Sequence, residues 1–252
     1  MVFACINNVS TSLAMLQSAF FTAEKFKKQF GILIFEDTGI QEMQVRSLLD
    51  EIENCDAKIL TVSKTIGSLE EICEAEEASF LFIQLVENKN KTIKQILLVS
   101  RGLRIPYLIF KDDFLPLNLQ KVLVPVIYLQ EEVEKAQFAS AFGRFCDSEV
   151  LVLQANDYGS KAENTVRKMI SLFDKFSFKY EVEKAIGDSY KVENEAIARA
   201  EKENYGIVII SASREYGLDD VVFGPKELRF VKKSSVPILL VNPRGDLYAL
   251  CD

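Results

Sequence analysis

The chain has 252 residues, enough for two domains of about 120 residues that each bury a core of their own. Hydrophobic residues make up 48% of the chain and charged residues 27%, a balance that excludes a disordered tail or linker. The formal net charge of -7 repels phosphate backbones, so nucleic acid is not expected as a partner. The absence of histidine excludes Ser-His-Asp and Cys-His catalysis and histidine metal ligands.

A membrane partner is not expected either, because no apolar run approaches the roughly 20 residues that a membrane span needs. The N-terminus lacks the basic segment and apolar stretch of a secretory leader, which favours a soluble, cytoplasmic protein. The cysteines are odd in number and form no C-x-x-C pair, which argues against a disulfide framework: Cys5, Cys55, Cys73, Cys146 and Cys251. Cys5, Cys55 and Cys73 are expected to pack in the core, and Cys251 to be exposed.

The first half of the chain is repeated in the second half. Residues 2–7 (VFACIN) match 122–127 (VLVPVI), 66–68 match 186–188, and 105–109 match 236–240. The last match is about eleven residues further apart than the first two, so one copy has gained or lost a segment. A repeat of this length is a whole domain.

In the first copy, short apolar runs predict strands at residues 2–7, 31–35, 58–62, 80–86 and 106–110. A first helix is predicted to bury Leu13, Leu16, Phe20, Ala23 and Phe30 and to close at Gly31. A second is predicted to bury Val45, Leu48, Ile52 and Cys55. A third spans 69–78, and a fourth runs through Ile93, Ile96, Leu97 and Arg101 before Gly102.

The second copy repeats this order, with predicted strands at 122–127, 150–154, 179–184, 207–211 and 237–241. Its helices are predicted to bury Val133, Ala136, Phe142 and Phe145, then Val166, Met169, Ile170, Phe173 and Phe176, then Val192, Ala196, Ile197 and Ala200. The strand at 179–184 is polar and is expected at a sheet edge.

Alternating strands and helices predict an α/β fold of two tandem, doubly wound, five-stranded parallel sheets of the Rossmann-like kind. The predicted domains are residues 1–112 and 120–245, joined by a short linker at 111–119. Both fifth strands are apolar and begin with proline, Pro106 and Pro237, which suits an edge. Two such edges in one chain predict that they pair in an intramolecular pseudo-dimer.

Several segments of the second copy resemble the universal stress protein family, in particular its two-copy members. They are residues 121–126 (KVLVPV), 186–188 (IGD), 207–214 (IVIISASR), 217–218, 222–224 and 235–241 (SVPILLV). The resemblance extends over residues 1–245. It implies five parallel strands per copy, dimerisation through the fifth strands and, in one branch, ATP at the carboxyl ends of strands one and four. That branch carries a Gly-x2-Gly-x9-Gly-Ser/Thr loop, whose bare amides suit phosphate.

The nucleotide loop is degenerate in both copies. In the second copy its glycine positions fall on Ser211, Arg214 and Gly224, and its Ser/Thr position on Pro225, which has no N–H. Ile127 stands where ATP-binding members have an aspartate. In the first copy, residues 86–91 run directly into the fourth helix, so the loop is missing, and Asn7 occupies the aspartate position, where it could at most hydrogen-bond a ribose.

Two interpretations of residues 211–225 remain open. Ser211, Ser213, Arg214 and Gly224 could form a residual anion or nucleotide site, with the Arg214 charge replacing the lost glycine amides, or the segment is an inherited surface loop. Residues 88–91 could likewise be an anion site or a polar turn before a helix. The acidic residues between Glu70 and Glu77 spread around a helix, so no metal site and no catalytic residue is predicted.

The favoured function is a non-catalytic stress-response adaptor that is not an enzyme, needs no cofactor and acts through protein partners that the sequence does not name. The alternative is a sensor that binds ATP or another nucleotide in the second domain only, with at most slow hydrolysis. A third possibility, an adenylate-forming enzyme, needs a phosphate motif that is absent. A further homodimer, formed through helices, is compatible with both surviving hypotheses.

Overall fold

A computed structural model describes residues 1–63, 65–213 and 224–244. The chain divides into two compact units, Met1–Leu117 and Asn118–Asp252. The division falls inside the segment 111–119 that the sequence identifies as a linker. Each unit is described by itself below.

The described residues of the first unit form five parallel strands: β1 Val2–Ile6, β2 Phe30–Phe35, β3 Lys58–Val62, β4 Phe80–Leu85 and β5 Tyr107–Lys111. Their order in the sheet is β3-β2-β1-β4-β5. The helices between them are α1 Leu13–Lys25, α2 Glu42–Leu49, α3 Leu69–Ala75 and α4 Asn90–Val99. All residues of β1, β2 and β4 are buried, because these strands carry apolar side chains on both faces.

The second unit repeats this topology. Its described strands are β6 Lys121–Val126, β7 Glu149–Gln154, β8 Tyr180–Lys184, β9 Ile207–Ser211 and β10 Ile238–Val241, in the order β8-β7-β6-β9-β10. Its helices are α5 Lys135–Phe145, α6 Lys161–Phe173, α7 Val192–Lys202 and α8 Lys226–Lys233. The prediction of two tandem, doubly wound, five-stranded parallel sheets is confirmed. So is the edge position of β8, most of whose residues are exposed or half-buried.

Several predicted helix ends are wrong. Helix α1 ends at Lys25, and Phe30 and Gly31 lie in β2, because Lys27 adopts a left-handed backbone (φ 53°) that ends the helix before β2 begins at Phe30. Ile52 and Cys55 lie beyond the end of α2. Asn54, which adopts a left-handed backbone (φ 56°), lies between them. Helix α3 ends at Ala75 rather than 78, ahead of the left-handed Glu77.

The remaining differences concern residues at the ends of α4, α5 and α6. Arg101 lies beyond α4, and Val133 lies in a short 3-10 helix that precedes α5. Phe145 and Phe176 were predicted to be buried but are 40% and 36% exposed. The guanidinium carbon of Arg144 lies 5.1 Å from one ring centroid and 4.2 Å from the other, so these rings pack against a cation at the surface.

The topology places one crevice in each sheet. The chain proceeds outward from β1 to β2 and β3, then returns past β1 to β4 and β5, and right-handed connections place the helices of these two runs on opposite faces. The carboxyl ends of β1 and β4 therefore lie where the direction of winding reverses, and the ends of β6 and β9 do so in the second unit. Ligands of open α/β sheets bind at such a reversal.

No helix in the described ranges is long and apolar enough to cross a membrane.

Gly206 provides a test of the second unit's packing. A Cβ atom built on this residue would lie 1.5 Å from the carbonyl oxygen of Asn118, a backbone atom. We therefore expect Gly206→Ala to lower the free energy of unfolding by about 3 kcal/mol, measured by urea denaturation. Gly67→Ala is the control, because its nearest neighbour is the Thr65 hydroxyl at 3.5 Å. Equal losses in the two variants would contradict the described packing.

Candidate functional site

The crevice of the second unit is filled by a buried ion pair at the end of β6. Lys135, in the first turn of α5, is fully buried, and its ammonium group lies 2.6 Å from Oε2 of the equally buried Glu132. The ammonium also donates a hydrogen bond to the carbonyl oxygen of Pro125, inside β6. Glu132 Oε2 accepts a further bond from the amide of Ile127 at 3.2 Å. Two side chains of the protein thus bind the backbone where β6 ends.

A second set of charges lies at the ends of β9 and α8. Glu227, in the first turn of α8, is fully buried and accepts a hydrogen bond from the amide of Ser213, just beyond β9. The Lys226 ammonium lies 2.9 Å from Glu193 Oε1, on α7. We call Glu132, Lys135, Glu193, Lys226 and Glu227 the ionic cluster. It contains three carboxylates and two ammonium groups.

The members of the ionic cluster influence one another's ionisation. Burial alone would raise the pKa of Glu132, but the Lys135 ammonium, together with Ser211 and Lys226, holds that pKa below its ordinary value. Burial raises the pKa of Glu193, and the opposing attraction of Lys226 does not reverse the shift. Burial would lower the pKa of Lys226, but the charge of Glu193 raises it. Both ammonium groups are therefore committed to carboxylates of the chain.

Three of the four residues predicted as a residual nucleotide site lie among the described residues, and all three lie near this cluster. Ser211 ends β9, is buried, and its hydroxyl faces the Glu132 carboxylate, whose pKa it helps to lower. Ser213 is partly buried and donates its amide to Glu227. Gly224 has a left-handed backbone (φ 81°) two residues before α8. Arg214 lies outside the described residues.

At the corresponding crevice of the first unit lies Gln84, near the end of β4, which is 1% exposed. Its Oε1 accepts the amides of Asn7 and Asn8, each at 2.8 Å. Its Nε2 donates to the carbonyl of Asn8 at 2.9 Å, to the Thr11 hydroxyl at 3.0 Å and to Asp112 at 2.9 Å. A single side chain thus joins the carboxyl ends of three neighbouring strands.

Asn7, predicted to reach a ribose at most, donates its side-chain amide to the backbone carbonyl of Gln84 at 2.8 Å. Beside these two residues lies an open cleft of about 410 Å³, lined also by Phe35, Thr38 and Ile96. Asp37 and Glu87 are the charged residues among its described lining, and both are negative. The cleft therefore favours neutral or cationic groups over phosphate.

The segment 88–91 has the contacts of a turn. The amide of Lys89 donates to the carbonyl of Glu87 at 2.7 Å, and the two side chains form an exposed ion pair at 2.9 Å. Helix α4 begins at Asn90 immediately afterwards. The Lys89 ammonium is thus paired within the turn.

The described cysteines and acidic groups offer little for catalysis. Burial raises the pKa of Cys5 and of Cys73 to about 12, and that of Cys55 to about 11, so these thiols stay protonated at neutral pH. Within residues 1–63, 65–213 and 224–244, no group of acidic and cysteine side chains could hold a metal ion. Cys251 lies outside the described residues.

The sequence interpretation missed the ionic cluster, although one signal was present. Glu132 and Lys135 precede Ala136, Ala139 and Phe142 at helical spacing, on the stripe that packs against the sheet. Charged residues on such a stripe are buried and must be paired. Glu193, Lys226 and Glu227 gave no comparable signal, because each is next to polar residues at a helix start.

Comparison with known proteins shows likeness of fold. No protein-family model matches the sequence, and no curated protein matches it. A universal stress protein from Archaeoglobus fulgidus aligns with a TM-score of 0.64 and 16% identity over 97% of both chains. A functionally unknown protein from Pseudomonas aeruginosa aligns at 0.62 and 13%, over 100% of this chain and 95% of that one. A putative universal stress protein from the same organism aligns at 0.59 and 14%, over 99% and 94%.

The chain therefore has the fold of universal stress protein structures along nearly its whole length, as the sequence resemblance predicts.

The ionic cluster gives a stability prediction. Lys135→Met leaves the Glu132 carboxylate buried without its cation, and we expect the free energy of unfolding to fall by about 3 to 5 kcal/mol. Glu132→Leu/Lys135→Met removes both charges and should recover most of that loss. The control is Arg167→Met, which breaks the exposed Glu163 pair and should cost less than about 1 kcal/mol. Denaturation curves that rank Arg167→Met as the more damaging variant would contradict the described burial.

Proposed function

We propose that this protein is a non-catalytic, universal-stress-protein-like adaptor that does not bind ATP and acts through protein contacts in the cytoplasm. One observation carries the proposal: at both crevices the chain's own side chains bind the groups at the strand ends, and no described side chain offers an unpaired cation to a phosphate. Glu132 and Lys135 form an ion pair in one crevice, and in the other Gln84 binds the strand ends beside a cleft whose charged lining residues are acidic. Four free cysteines among the described residues are consistent with a reducing compartment.

Electrostatics supports the exclusion of ATP from the second unit. The ionic cluster has one carboxylate more than it has ammonium groups. A phosphate about 4 Å from an unpaired carboxylate would be repelled by about 4 kcal/mol at an effective dielectric constant of about 20. Among the described residues of the ionic cluster, one carboxylate oxygen of Glu132 and one of Glu227 are buried without a hydrogen-bond partner. Such oxygens attract hydrogen-bond donors, and carboxylate oxygens repel anions.

The alternative function is a nucleotide sensor that uses only the second unit. Its support is the position of Ser211, Ser213 and Gly224 around the end of β9, where the resemblance places a phosphate loop. A nucleotide would then have to displace the Glu227 carboxylate from the Ser213 amide. Titration with ATP, ADP and AMP decides between the two functions.

Calorimetric titration with ATP, ADP and AMP tests the proposal. We expect no heat of binding and no rise in melting temperature, because no cationic group of the described crevices is free. A ligand at 100 times its dissociation constant would stabilise the protein by about 2.7 kcal/mol, so even modest affinity would be seen. A clear shift would overturn the proposal. In that case Arg214→Ala tests whether the predicted site is used, since an unchanged affinity would exclude Arg214.

We further propose that the two units pair through β5 and β10 as a pseudo-dimer. The support comes from the sequence, because both strands are apolar apart from Lys111 and each follows a proline, Pro106 or Pro237. A chain cut after Asp113 would then expose an apolar edge, and we expect it to self-associate or aggregate. Light scattering during size-exclusion chromatography measures this, with the full-length chain as the control. A well-behaved monomer of residues 1–113 would contradict edge pairing.

A further inference from the structure

The cleft beside Gln84 in the first unit has the size of a small-molecule site. Its volume of about 410 Å³ lies within the range of about 300 to 1,000 Å³ that is typical of ligand pockets. Phe35 and Ile96, which are 1% and 3% exposed, belong to its apolar lining. We call it the acidic cleft and define it by six of its lining residues: Asn7, Phe35, Asp37, Gln84, Glu87 and Ile96.

Asp37 brings an uncompensated negative charge to the acidic cleft. It is exposed and lies in the 3-10 helix Glu36–Thr38 that follows β2. Among the residues that the structure describes, none forms an ion pair or a hydrogen bond with its carboxylate. Glu87, the other charged residue of the described lining, is paired with Lys89 at 2.9 Å. One carboxylate of the cleft is therefore left without a cation.

A second carboxylate lies one hydrogen bond away from the acidic cleft, beyond the amide of Gln84. Asp112 is half-buried and accepts a hydrogen bond from Gln84 Nε2 at 2.9 Å. Because Gln84 is neutral, this bond leaves the charge of Asp112 in place, and Asp112 has no ion pair in the described ranges. Lys91 is exposed and does not line the cleft. The charged residues that line the cleft or bind its described lining, and that lack an ion pair, are thus both negative.

Asn7 adds a hydrogen-bond acceptor to the acidic cleft. Its Nδ2 donates to the backbone carbonyl of Gln84 at 2.8 Å, which fixes the orientation of the amide because a carbonyl oxygen can only accept. Its Oδ1 accepts no hydrogen bond from a described residue. The Gln84 side chain has no such capacity left, since its Oε1 accepts two amides and its Nε2 lies within hydrogen-bond distance of three acceptors. The Asn7 oxygen and the Asp37 carboxylate are therefore open to a ligand, and both require a donor.

The turn that carries Asp37 is held in place by bonds of its own. The Thr38 hydroxyl donates to the carbonyl of Phe35 at 2.7 Å and accepts the amide of Ile40 at 3.3 Å. Gly39 ends the 3-10 helix with a left-handed backbone (φ 70°), and its amide donates to the carbonyl of Glu36 at 3.2 Å. The backbone of Asp37 is thus ordered before a ligand binds, which lowers the entropic cost of binding.

We propose that the acidic cleft binds a small organic cation with N–H groups, an ammonium, amidinium or guanidinium on an apolar body. The cationic group would donate to the Asp37 carboxylate and to Asn7 Oδ1, and hydrogen bonds of this charge-assisted kind are roughly twice as strong as neutral ones. The apolar body would pack against Phe35 and Ile96. The same carboxylates repel phosphate, so the ligand is not a nucleotide. The inference goes beyond the proposed adaptor function and does not depend on it.

Titration of the isotope-labelled, full-length protein with benzamidine, followed by NMR shifts of the backbone amides, tests the proposal. Benzamidine carries an amidinium on a phenyl ring, benzamide is its neutral isostere and benzoate its anionic counterpart. We expect benzamidine to shift the amides of Asn7, Thr38 and Ile96 and to bind about tenfold more tightly than benzamide or benzoate. Phenyltrimethylammonium, a cation without N–H groups, should bind more weakly than benzamidine.

Two adjacent carboxylates supply matched variants. Asp37→Asn should weaken benzamidine binding about tenfold, because it removes the charge and keeps the shape of the side chain. Glu36→Gln removes the same charge from an exposed neighbour outside the described lining and should bind benzamidine as well as the unchanged protein. Asp37→Lys should lose benzamidine and bind benzoate. Both substituted residues are exposed, so melting temperatures should match that of the unchanged protein.

Four outcomes would overturn the proposal. The first is that benzamidine leaves the amides of the cleft unchanged. The second is that Asp37→Asn and Glu36→Gln bind benzamidine equally well. The third is tighter binding of benzoate or adenosine than of benzamidine at the cleft, and the fourth is equal affinity for benzamidine and phenyltrimethylammonium. The ATP titration tests the adaptor proposal separately, so the failure of one proposal is distinguishable from the failure of the other.

Discussion

The burial of the Lys135 ammonium is the constraint on which the second unit depends. A lysine without solvent access must find acceptors in the protein, and this one binds the carbonyl of Pro125 and the carboxylate of Glu132. Glu132 in turn holds the amide of Ile127. The start of α5 is thereby fixed against the end of β6, in the place where the fold leaves a crevice. The ion pair at this crevice therefore fixes the connection between β6 and α5.

The residues at the two crevices differ in chemistry. In the first unit a neutral amide, Gln84, satisfies backbone and side-chain groups on three strands. In the second unit pairs of charged side chains satisfy the corresponding groups. Burying these charges costs more desolvation free energy than burying a neutral amide. The strand order is nevertheless the same in both units. The strand order therefore does not depend on which side chains lie at the crevice where the direction of winding reverses. This is consistent with a fold that is shared at 13% to 16% sequence identity.

The strands could be predicted from sequence because a buried parallel strand is a short, continuous apolar run, as in β1, β4 and β9. The helix ends could not, because the left-handed positions that end them hold Lys27, Asn54 and Glu77 instead of glycine. The ionic cluster was hidden for a related reason. Glutamate and lysine at a helix start are most often solvated, and only a tertiary neighbour decides otherwise. The role of Gln84 depends on contacts more than 70 residues apart, which no local pattern carries.

Strand β8 is an edge strand of the second sheet, and its side chains affect whether the protein aggregates at high concentration. Glu181 and Lys184 are exposed, and Glu183 is held by Arg199 at 2.6 Å. A foreign strand that added to this edge would have to bury those charges or match each with an opposite one. Fibril growth by edge addition is therefore blocked at β8 without a covering helix, and the free end of the sheet stays open to water.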